Sequence, residues 1–283
     1  MPSTPSSRLF LSCVLIASSL LGCARTPVSA PLISPATTPT VPPFEEKAEL
    51  QKFFQGYSGA FVLYDRNNNR YTRYAPQQGA ERLLPASTFK ILNSLIGLET
   101  GVIPDENYVI KWNGTPYPIS SWNQDHTLKT AIQNSVVWYY QELARRVGRE
   151  KMQYYLDLVN YGNKDISGEL DNFWLDGSLK ISADEQVELL KRLYREQLPF
   201  SQRTMRIVKE ILVLEDTPTY RLSGKTGTGI GEMNVGWFVG YLQEKDNVYF
   251  FATNIKDASP EASGPKAKEI TRAILQELGL LGQ

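Results

Sequence analysis

The stretch that decides the fold of this chain is Leu83-Leu84-Pro85-Ala86-Ser87-Thr88-Phe89-Lys90-Ile91-Leu92-Asn93. Pro85 suits the first turn of a helix, and the apolar residues after Lys90 follow helical spacing as far as Gly101. Because positions i and i+3 share one helix face, the Ser87 hydroxyl and the Lys90 amine are predicted to meet. The free N–H groups at a helix start also favour an anion beside Ser87. The stretch therefore predicts either a nucleophile next to its base or simply the start of a helix.

The Ser-x-x-Lys pattern is not specific by itself. It occurs a second time at Ser263-Gly264-Pro265-Lys266, in a segment that we predict to be a loop. A catalytic interpretation of Ser87 and Lys90 therefore depends on further residues elsewhere in the chain.

Composition and charge narrow the classes of function. The 283 residues are 42% apolar, enough for a real core in one large domain or two closely packed ones. Lysine plus arginine and aspartate plus glutamate are balanced at 30 each, so no net field favours nucleic acid and we predict no nucleic-acid partner.

The cysteines and the histidine exclude several kinds of site. Both cysteines, Cys13 and Cys23, lie near the N-terminus, so the body of the chain has no disulfide. The one histidine, His126, excludes multi-histidine zinc sites, and we predict no metal. His126 remains a conceivable base for a Ser-His-Asp triad, but no Gly-x-Ser-x-Gly accompanies it, which favours a packed or surface histidine.

The N-terminus is typical of an exported protein. Arg8 precedes an apolar run over residues 9–21, which is shorter than the about 20 residues that span a bilayer. Leu20-Leu21-Gly22-Cys23 resembles a bacterial lipobox, although an ordinary signal peptide with a chance cysteine is the alternative. We predict a lipoprotein signal peptide over 1–22, lipidated Cys23 with a Pro/Thr/Ser-rich tether over 23–43, and a folded body over 44–283. The predicted protein is a membrane-anchored lipoprotein that faces the periplasm or the cell exterior.

Strand and helix patterns alternate in a definite order. Strands are predicted over residues 59–65, 70–74, 220–226, 234–242 and 248–255, with a hairpin turn at 66–69. Helices are predicted over 45–54, 128–147, 150–159, 187–193 and 265–280, and Ser182-Ala183-Asp184-Glu185 has the capping-box pattern. Because strands occur at both ends, we predict an α/β (α+β) fold: one antiparallel sheet from residues 44–84 and 215–283, flanked by terminal helices, with a helical subdomain over 85–214.

Three further clusters accompany the first stretch, and each has an ordinary alternative. Ser135-Val136-Val137 could be part of a helix whose serine bonds its own backbone. Tyr161-Gly162-Asn163, followed by Phe173-Trp174-Leu175-Asp176-Gly177, could be a turn and loop. Lys225-Thr226-Gly227-Thr228, followed by Gly229-Ile230-Gly231, could be a hairpin; its glycine spacing does not match a dinucleotide loop.

In this order and spacing the clusters resemble the class D enzymes, the oxacillinases, of the serine β-lactamase and penicillin-binding superfamily. The marks present are Ser-Thr-Phe-Lys at 87–90, Ser-x-Val at 135–137, Tyr-Gly-Asn at 161–163, Trp-Leu-Asp-Gly at 174–177, Lys-Thr-Gly at 225–227 and Gly-Trp-Phe-Val-Gly at 236–240. They extend over residues 45–255, most of the mature chain. The resemblance implies a serine β-lactamase-like fold and β-lactam hydrolysis.

The resemblance also implies roles for the catalytic residues. Ser87 would form an acyl-enzyme, and Lys90, carbamylated by CO₂ or bicarbonate, would be the general base for acylation and deacylation. A free lysine with a pKa near 10.4 is protonated at neutral pH, so Lys90 needs a buried, apolar setting. Phe89, Val137 and Leu175 would supply that setting, and the Trp174 N–H would donate to the carbamate.

Substrate contacts follow from the same resemblance. Ser135 would relay protons to the leaving nitrogen, and the backbone N–H groups of Ser87 and Thr228 would form the oxyanion hole. The remaining predicted substrate contacts are Lys225, Thr226, Gly227, Val137 and Trp122, although Trp122 could equally be a stacked core tryptophan. Where class D enzymes commonly have an arginine for the substrate carboxylate, this chain has Ala267, with Lys266 beside it as the predicted cation.

Two alternatives to a hydrolase remain. A β-lactam sensor or a penicillin-binding transpeptidase would keep the same fold and acylate without efficient turnover. A non-catalytic envelope lipoprotein would carry the motifs as relics. The partners predicted for the hydrolase are small β-lactams and a membrane through the lipid anchor, and its oligomeric state is either monomer or homodimer.

Overall fold

A single sheet assembled from both ends of the chain forms the centre of the molecule. This computed structural model describes residues 43–281, and within them seven strands form the sheet in the order β1-β3-β2-β9-β8-β7-β6. The strands are β1 (Phe44–Glu46), β2 (Ser58–Asp65), β3 (Arg70–Tyr74), β6 (Val213–Asp216), β7 (Tyr220–Gly229), β8 (Asn234–Glu244) and β9 (Asn247–Asp257). Because β2 pairs with β9, the two ends of the chain meet in the middle of the sheet. The predicted fold class is confirmed.

One edge of the sheet differs from the prediction. Residues 45–54 were expected to form one helix, but β1 pairs in parallel with β3, and only α1 (Gln51–Phe54), after a 3₁₀ turn at Ala48–Leu50, is helical. The backbone of β3 explains the difference, since Tyr71 N–H donates to Pro43 and Lys47 N–H donates to Arg73. An open strand edge thus outweighs a weak helical preference.

Most of the helices lie between β3 and β6 in the sequence, and α10 follows β9. In the part between β3 and β6, a 3₁₀ turn at Ala86–Phe89 leads into α3. A two-stranded ribbon of β4 (Val109–Ile110) and β5 (His126–Thr127) comes before helices α4 to α9. The bounds are α2 (Pro76–Ala80), α3 (Lys90–Glu99), α4 (Leu128–Gln133), α5 (Val137–Val147), α6 (Arg149–Val159), α7 (Phe173–Asp176), α8 (Ala183–Tyr194), α9 (Gln202–Ile211) and α10 (Gly264–Glu277). One apolar cluster joins this helical part to the sheet, and a second lies between the sheet and α10.

Two local predictions are corrected by the structure. The helix predicted over 128–147 is broken into α4 and α5, because Ser135 adopts a left-handed backbone with φ of 54°. The segment Ser263–Lys266, predicted as a loop, is instead the beginning of α10, with Ser263 at its N-cap position. The capping box at Ser182 is present as predicted, with Glu185 bonding back to the Ser182 N–H.

The sheet lies close to the backbone of two segments, the turn at Ala86–Phe89 and the start of α10. The Trp237 indole N–H donates to the Leu84 carbonyl at 2.8 Å, which ties β8 to the segment before Ala86–Phe89. A Cβ added at Gly227 would lie 3.0 Å from the Pro85 oxygen, and one at Gly236 would lie 2.2 Å from the Ser263 oxygen. Both glycines therefore let the sheet approach the two helix starts without a side chain between them. Among residues 43–281 no helix is both long and apolar enough to cross a membrane.

We expect Gly236→Ala to lower the free energy of unfolding by about 1–3 kcal/mol or more, since the new methyl group would overlap the backbone at Ser263. Gly231→Ala is the control, because its added carbon would lie 3.7 Å from the nearest atom, the Met233 oxygen. Urea unfolding followed by circular dichroism measures both variants. Equal stability of the two would contradict the close approach of α10 to β8.

Candidate active site

The side chains of Ser87 and Lys90 meet at the start of α3. Ser87 lies in the 3₁₀ turn, Lys90 is the first residue of the helix, and Lys90 Nζ is 2.7 Å from Ser87 Oγ. Ser87 is 8% exposed and Lys90 is 0% exposed. A hydroxyl at the edge of a cleft thus has an amine directly behind it.

The amine of Lys90 has an apolar and aromatic environment. It lies 5.3 Å from the centre of the Tyr140 ring, and no carboxylate of the described residues is among the charges that act on it. Burial, followed by the positive charge of Lys225, holds the pKa of Lys90 well below its ordinary value. This environment favours the uncharged amine, which is able to accept a proton or to react as a nucleophile.

The indole of Trp174, on α7, is also buried close to this site. Its ring stacks on Phe89 with centres 5.4 Å apart, and Phe173 packs edge-on to both rings. The Trp174 Nε1 atom is buried and has no hydrogen-bond partner among the described residues. A buried donor without a partner costs about 1–3 kcal/mol. This cost favours an acceptor next to the Trp174 N–H, and no side chain of the described residues supplies one.

A cleft of about 610 Å³ opens in front of Ser87. It lies between the helical part and the end of β7, the place where ligands are common in two-part folds. The predicted residues that line it are Ser87, Trp122, Ser135, Val137, Leu175, Thr226 and Thr228. The structure adds Ile119, Asn134, Gly229, Ile230 and Pro265 to these.

Ser135 reaches the cleft because of the break between α4 and α5. Its left-handed backbone turns the chain, so the side chain lines the cleft instead of the helix surface. The neighbouring wall is held by Trp122, whose indole N–H donates to the Asn134 carbonyl at 3.0 Å. Trp122 is therefore a cleft-lining residue that is also packed, edge-on, against Tyr117.

Lys225 lies behind the cleft on β7. The residue is 5% exposed, and its amine donates to the Thr226 carbonyl at 3.0 Å. Burial lowers the pKa of Lys225 to about 7. Gly227, the next residue but one, lets β7 pass directly beneath the turn that carries Ser87.

The remaining predicted residues lie at different depths. Phe89 is fully buried beside Trp174, whereas Val137 and Leu175 form the cleft wall. Lys266 does not line the cleft; its amine bonds the carboxylate of Glu269 at 2.9 Å. Ala267 is on the buried face of α10 and is fully buried.

Several residues of the site were missed from the sequence. Tyr140 was passed over as one aromatic residue among many, although it shares the interior with Lys90 and its hydroxyl is 2.9 Å from that of Ser94. Ile119 and Ile230 lie at the cleft rim and are 49% and 85% exposed. An isoleucine between two glycines in a turn was a signal that could have found Ile230.

His126 has a structural role. Its ring nitrogens lie 3.0 Å from the Thr130 hydroxyl and 2.8 Å from the Ser121 carbonyl. Both nitrogens are thus engaged away from Ser87, as expected for a packed histidine.

Known proteins that are similar in sequence and fold identify the family. A family model described as penicillin binding protein transpeptidase domain matches residues 59–276. The protein named "Probable beta-lactamase YbxI" of Bacillus subtilis (strain 168) is 43% identical over 235 residues, which cover 83% of this chain and 86% of that protein. The crystal structure of the class D β-lactamase YbXI from Nostoc superposes with a TM-score of 0.79 at 44% identity, over 83% of this chain and all of that one. The chain belongs to the class D serine β-lactamase family.

The chain is also similar to a protein described as a penicillin receptor. The C-terminal domain of the Bacillus licheniformis BlaR penicillin-receptor matches with a TM-score of 0.81 at 39% identity, over 85% of this chain and 98% of that one. Membership in the class D family is therefore compatible with a hydrolase and with a receptor domain.

We expect the free energy of unfolding to depend on pH because Lys225 is buried. Between about pH 7 and pH 10 the unfolded chain binds a proton at this lysine that the folded protein lacks, since burial lowers the folded pKa to about 7. The free energy of unfolding should therefore rise with pH faster in the wild type than in Lys225→Met, by up to about 1.4 kcal/mol per pH unit.

Urea unfolding of both proteins at several pH values in CO₂-free buffer measures the difference. Parallel pH profiles for wild type and Lys225→Met would show that Lys225 titrates alike in the folded and unfolded states, against the buried environment described above.

Proposed function

We propose that this protein hydrolyses β-lactams through an acyl-enzyme on Ser87, with a carbamate on Lys90 as the general base. The observation that carries the proposal is the fully buried Lys90 amine, 2.7 Å from Ser87 Oγ, in a setting that favours its uncharged form. Family membership supports the chemistry, and the cleft of about 610 Å³ supports the size of the substrate. The exported, membrane-anchored state is a separate proposal, since Cys23 and the other residues of the N-terminal 42 lie outside the described residues.

The residues around Lys90 fit a carbamate. An amine attacks CO₂ only when uncharged; the new N–C bond then turns one C=O into C–O⁻, and a proton leaves the nitrogen. Burial lowers the pKa of Lys90 and so favours its uncharged form, and the unpaired Trp174 N–H is a donor suited to the new oxygen. When present, the carbamate on Lys90 would supply a carboxylate-like base beside Ser87.

The roles of the other residues follow from their places in the cleft. Ser87 attacks the β-lactam carbonyl carbon, its proton passes to the base at Lys90, and the C–N bond of the ring breaks. Ser135, on the cleft wall, relays this proton from the base at Lys90 to the nitrogen that leaves, which regenerates the base. Ser87 and Thr228, which both line the cleft, offer backbone N–H groups for the oxyanion, where one donor is typically worth about 10²–10³ in rate. Water, activated by the same base, then attacks the ester carbon and releases Ser87.

The protein should hydrolyse a chromogenic β-lactam, and added bicarbonate should raise the rate because it supplies CO₂ for Lys90. Steady-state spectrophotometry in degassed and bicarbonate-containing buffers measures the effect. Ser87→Ala should abolish turnover and the covalent adduct together. Turnover in Ser87→Ala, or a rate indifferent to bicarbonate, would contradict the mechanism.

Lys90→Ala should still acylate slowly at Ser87 but fail to release the product, since water lacks its base. Intact-protein mass spectrometry after mixing with benzylpenicillin should show a persistent adduct. Normal turnover by Lys90→Ala would exclude any role of this lysine in deacylation.

Trp174→Phe keeps an aromatic ring on Phe89 but removes the unpaired N–H. We expect the bicarbonate concentration that gives half of full activity to rise about 10- to 100-fold, the value of one hydrogen bond to a charged group. Trp112→Phe is the control, because its indole donates to the Thr115 carbonyl in an exposed loop. ¹³C NMR with labelled bicarbonate reports the carbamate independently of turnover, and equal occupancy in wild type and Trp174→Phe would refute the role of this N–H.

A penicillin receptor is the second candidate, favoured by the similarity to the BlaR domain. A receptor would give one stoichiometric burst of product and a stable adduct on Ser87 in the wild type. Pre-steady-state mixing with a chromogenic β-lactam separates the two functions, because a hydrolase continues after the burst.

The lipid anchor has its own test. Cys23→Ser should release the protein from the membrane fraction of the producing cells, because the acyl chains would have no attachment point. Unchanged membrane association of Cys23→Ser would count against lipidation, whatever the result of the enzyme assays.

A further inference from the structure

A short turn in the wall of the cleft carries part of its rim. Residues Ser120–Trp122 form a 3₁₀ turn, which we name the rim turn, and Trp122 lines the cleft together with Ile119, the residue just before the turn. None of the three residues of the rim turn is buried. Because so little of the turn packs into the core, its position depends on individual hydrogen bonds.

His126 supplies one of these bonds from the interior. Its side chain is 1% exposed, and its Nε2 atom lies 2.8 Å from the Ser121 carbonyl oxygen. A carbonyl oxygen only accepts, so Nε2 donates whatever the charge of the ring. The other nitrogen, Nδ1, lies 3.0 Å from the hydroxyl of Thr130, which belongs to the capping box at the start of α4. His126 thus connects the rim turn to the N-terminal end of α4.

Two tryptophans hold the next residue of the rim turn. The indole N–H of Trp138, on α5, donates to the Trp122 carbonyl at 2.9 Å. The indole N–H of Trp122 donates to the carbonyl of Asn134, the residue that follows α4, at 3.0 Å. The rim turn is therefore attached to both ends of α4, at one end through His126 and at the other through Trp122.

The Ser121 carbonyl has a second donor that differs from His126 in its exposure. The Gln124 amide approaches the same oxygen at 3.3 Å from the protein surface. Water replaces an exposed donor at little cost, whereas a buried donor that loses its partner costs about 1–3 kcal/mol. The bond from His126 is therefore the stronger constraint on Ser121.

We propose that His126 is a positioning residue for substrate recognition: it holds the rim turn so that Ile119 and Trp122 can contact the side chain of a bound β-lactam. This inference rests on the proposed function, since it concerns the substrate of the same cleft. Both rim residues are apolar and suit an apolar acyl side chain, whereas the reacting ring lies at Ser87. Loss of the bond to Ser121 should therefore raise KM for substrates that carry such a side chain and leave the chemical step unchanged.

Two replacements separate the roles of the two ring nitrogens. In His126→Gln the side-chain NH₂ takes the place of Nε2 and keeps a donor for Ser121. In His126→Asn the shorter amide takes the place of Nδ1, and no side-chain donor at this position reaches Ser121. Gln124→Ala is the matched control, because it removes the exposed donor to the same carbonyl. Urea unfolding shows whether each variant is folded.

The substrates are benzylpenicillin and 6-aminopenicillanic acid, which has the same rings and carboxylate but no acyl side chain. In His126→Asn, kcat/KM for benzylpenicillin should fall about 3- to 10-fold, the value of one hydrogen bond, mainly through KM. For 6-aminopenicillanic acid kcat/KM should stay within about twofold. His126→Gln and Gln124→Ala should resemble the wild type with both substrates.

The indole N–H signal of Trp122 in NMR spectra reports the rim turn without any substrate, and its loss in Trp122→Phe assigns it. We expect this signal to shift in His126→Asn and to stay in place in His126→Gln. A wild type that forms no adduct with benzylpenicillin on Ser87 would refute the proposed function. The NMR comparison would still decide whether His126 holds the turn.

Four results would overturn the role of His126. They are wild-type kinetics and an unshifted signal in His126→Asn, equal losses in His126→Gln and His126→Asn, equal losses for the two substrates, and a loss in Gln124→Ala as large as that in His126→Asn. Trp138→Phe releases the neighbouring Trp122 carbonyl and should cause the same selective loss. Equal kinetics of Trp138→Phe and the wild type would refute the role of the rim turn even if His126→Asn does not fold.

Discussion

The removal of the Lys90 amine from water is the constraint on which the rest of the site depends. Burial penalises the ammonium form, so the fold favours the uncharged amine. In the proposed mechanism that form is what makes the neighbouring hydroxyl of Ser87 a usable nucleophile. The aromatic rings of Phe89, Tyr140 and Trp174 are therefore part of the chemistry, because they exclude the water that would recharge the amine.

The same principle acts at Lys225 with a different outcome. This lysine is buried as well, but its pKa of about 7 leaves it close to half-charged near neutral pH. An anion in the cleft would shift the balance to the charged form. In the proposed mechanism the two buried lysines have different roles: Lys90 handles protons, and Lys225 responds to the charge of the bound substrate.

The sequence allowed much of this arrangement to be predicted, because the evidence was local. The i,i+3 spacing brought Ser87 to Lys90, and alternation marked the strands that carry Lys225 and Trp237. Two of the misses were non-local. The parallel pairing of β1 with β3 and the helical start after Ser263, where the Gly264 N–H donates to the Thr228 hydroxyl, depend on partners that are distant in the sequence. The left-handed backbone at Ser135 breaks a continuous helical pattern at a single residue, which the apolar spacing did not reveal.

The central pairing of β2 with β9 has a consequence for folding during synthesis. Residue 59 is opposite residue 255, so the sheet cannot close until almost the whole chain has been made. Contacts of such long sequence separation are slow to form, since a large loop must first be ordered. A chain that is still emerging therefore holds its nucleophile segment without the strand that completes the cleft. The cleft therefore forms late, only after the strand that pairs with β2 has been synthesised.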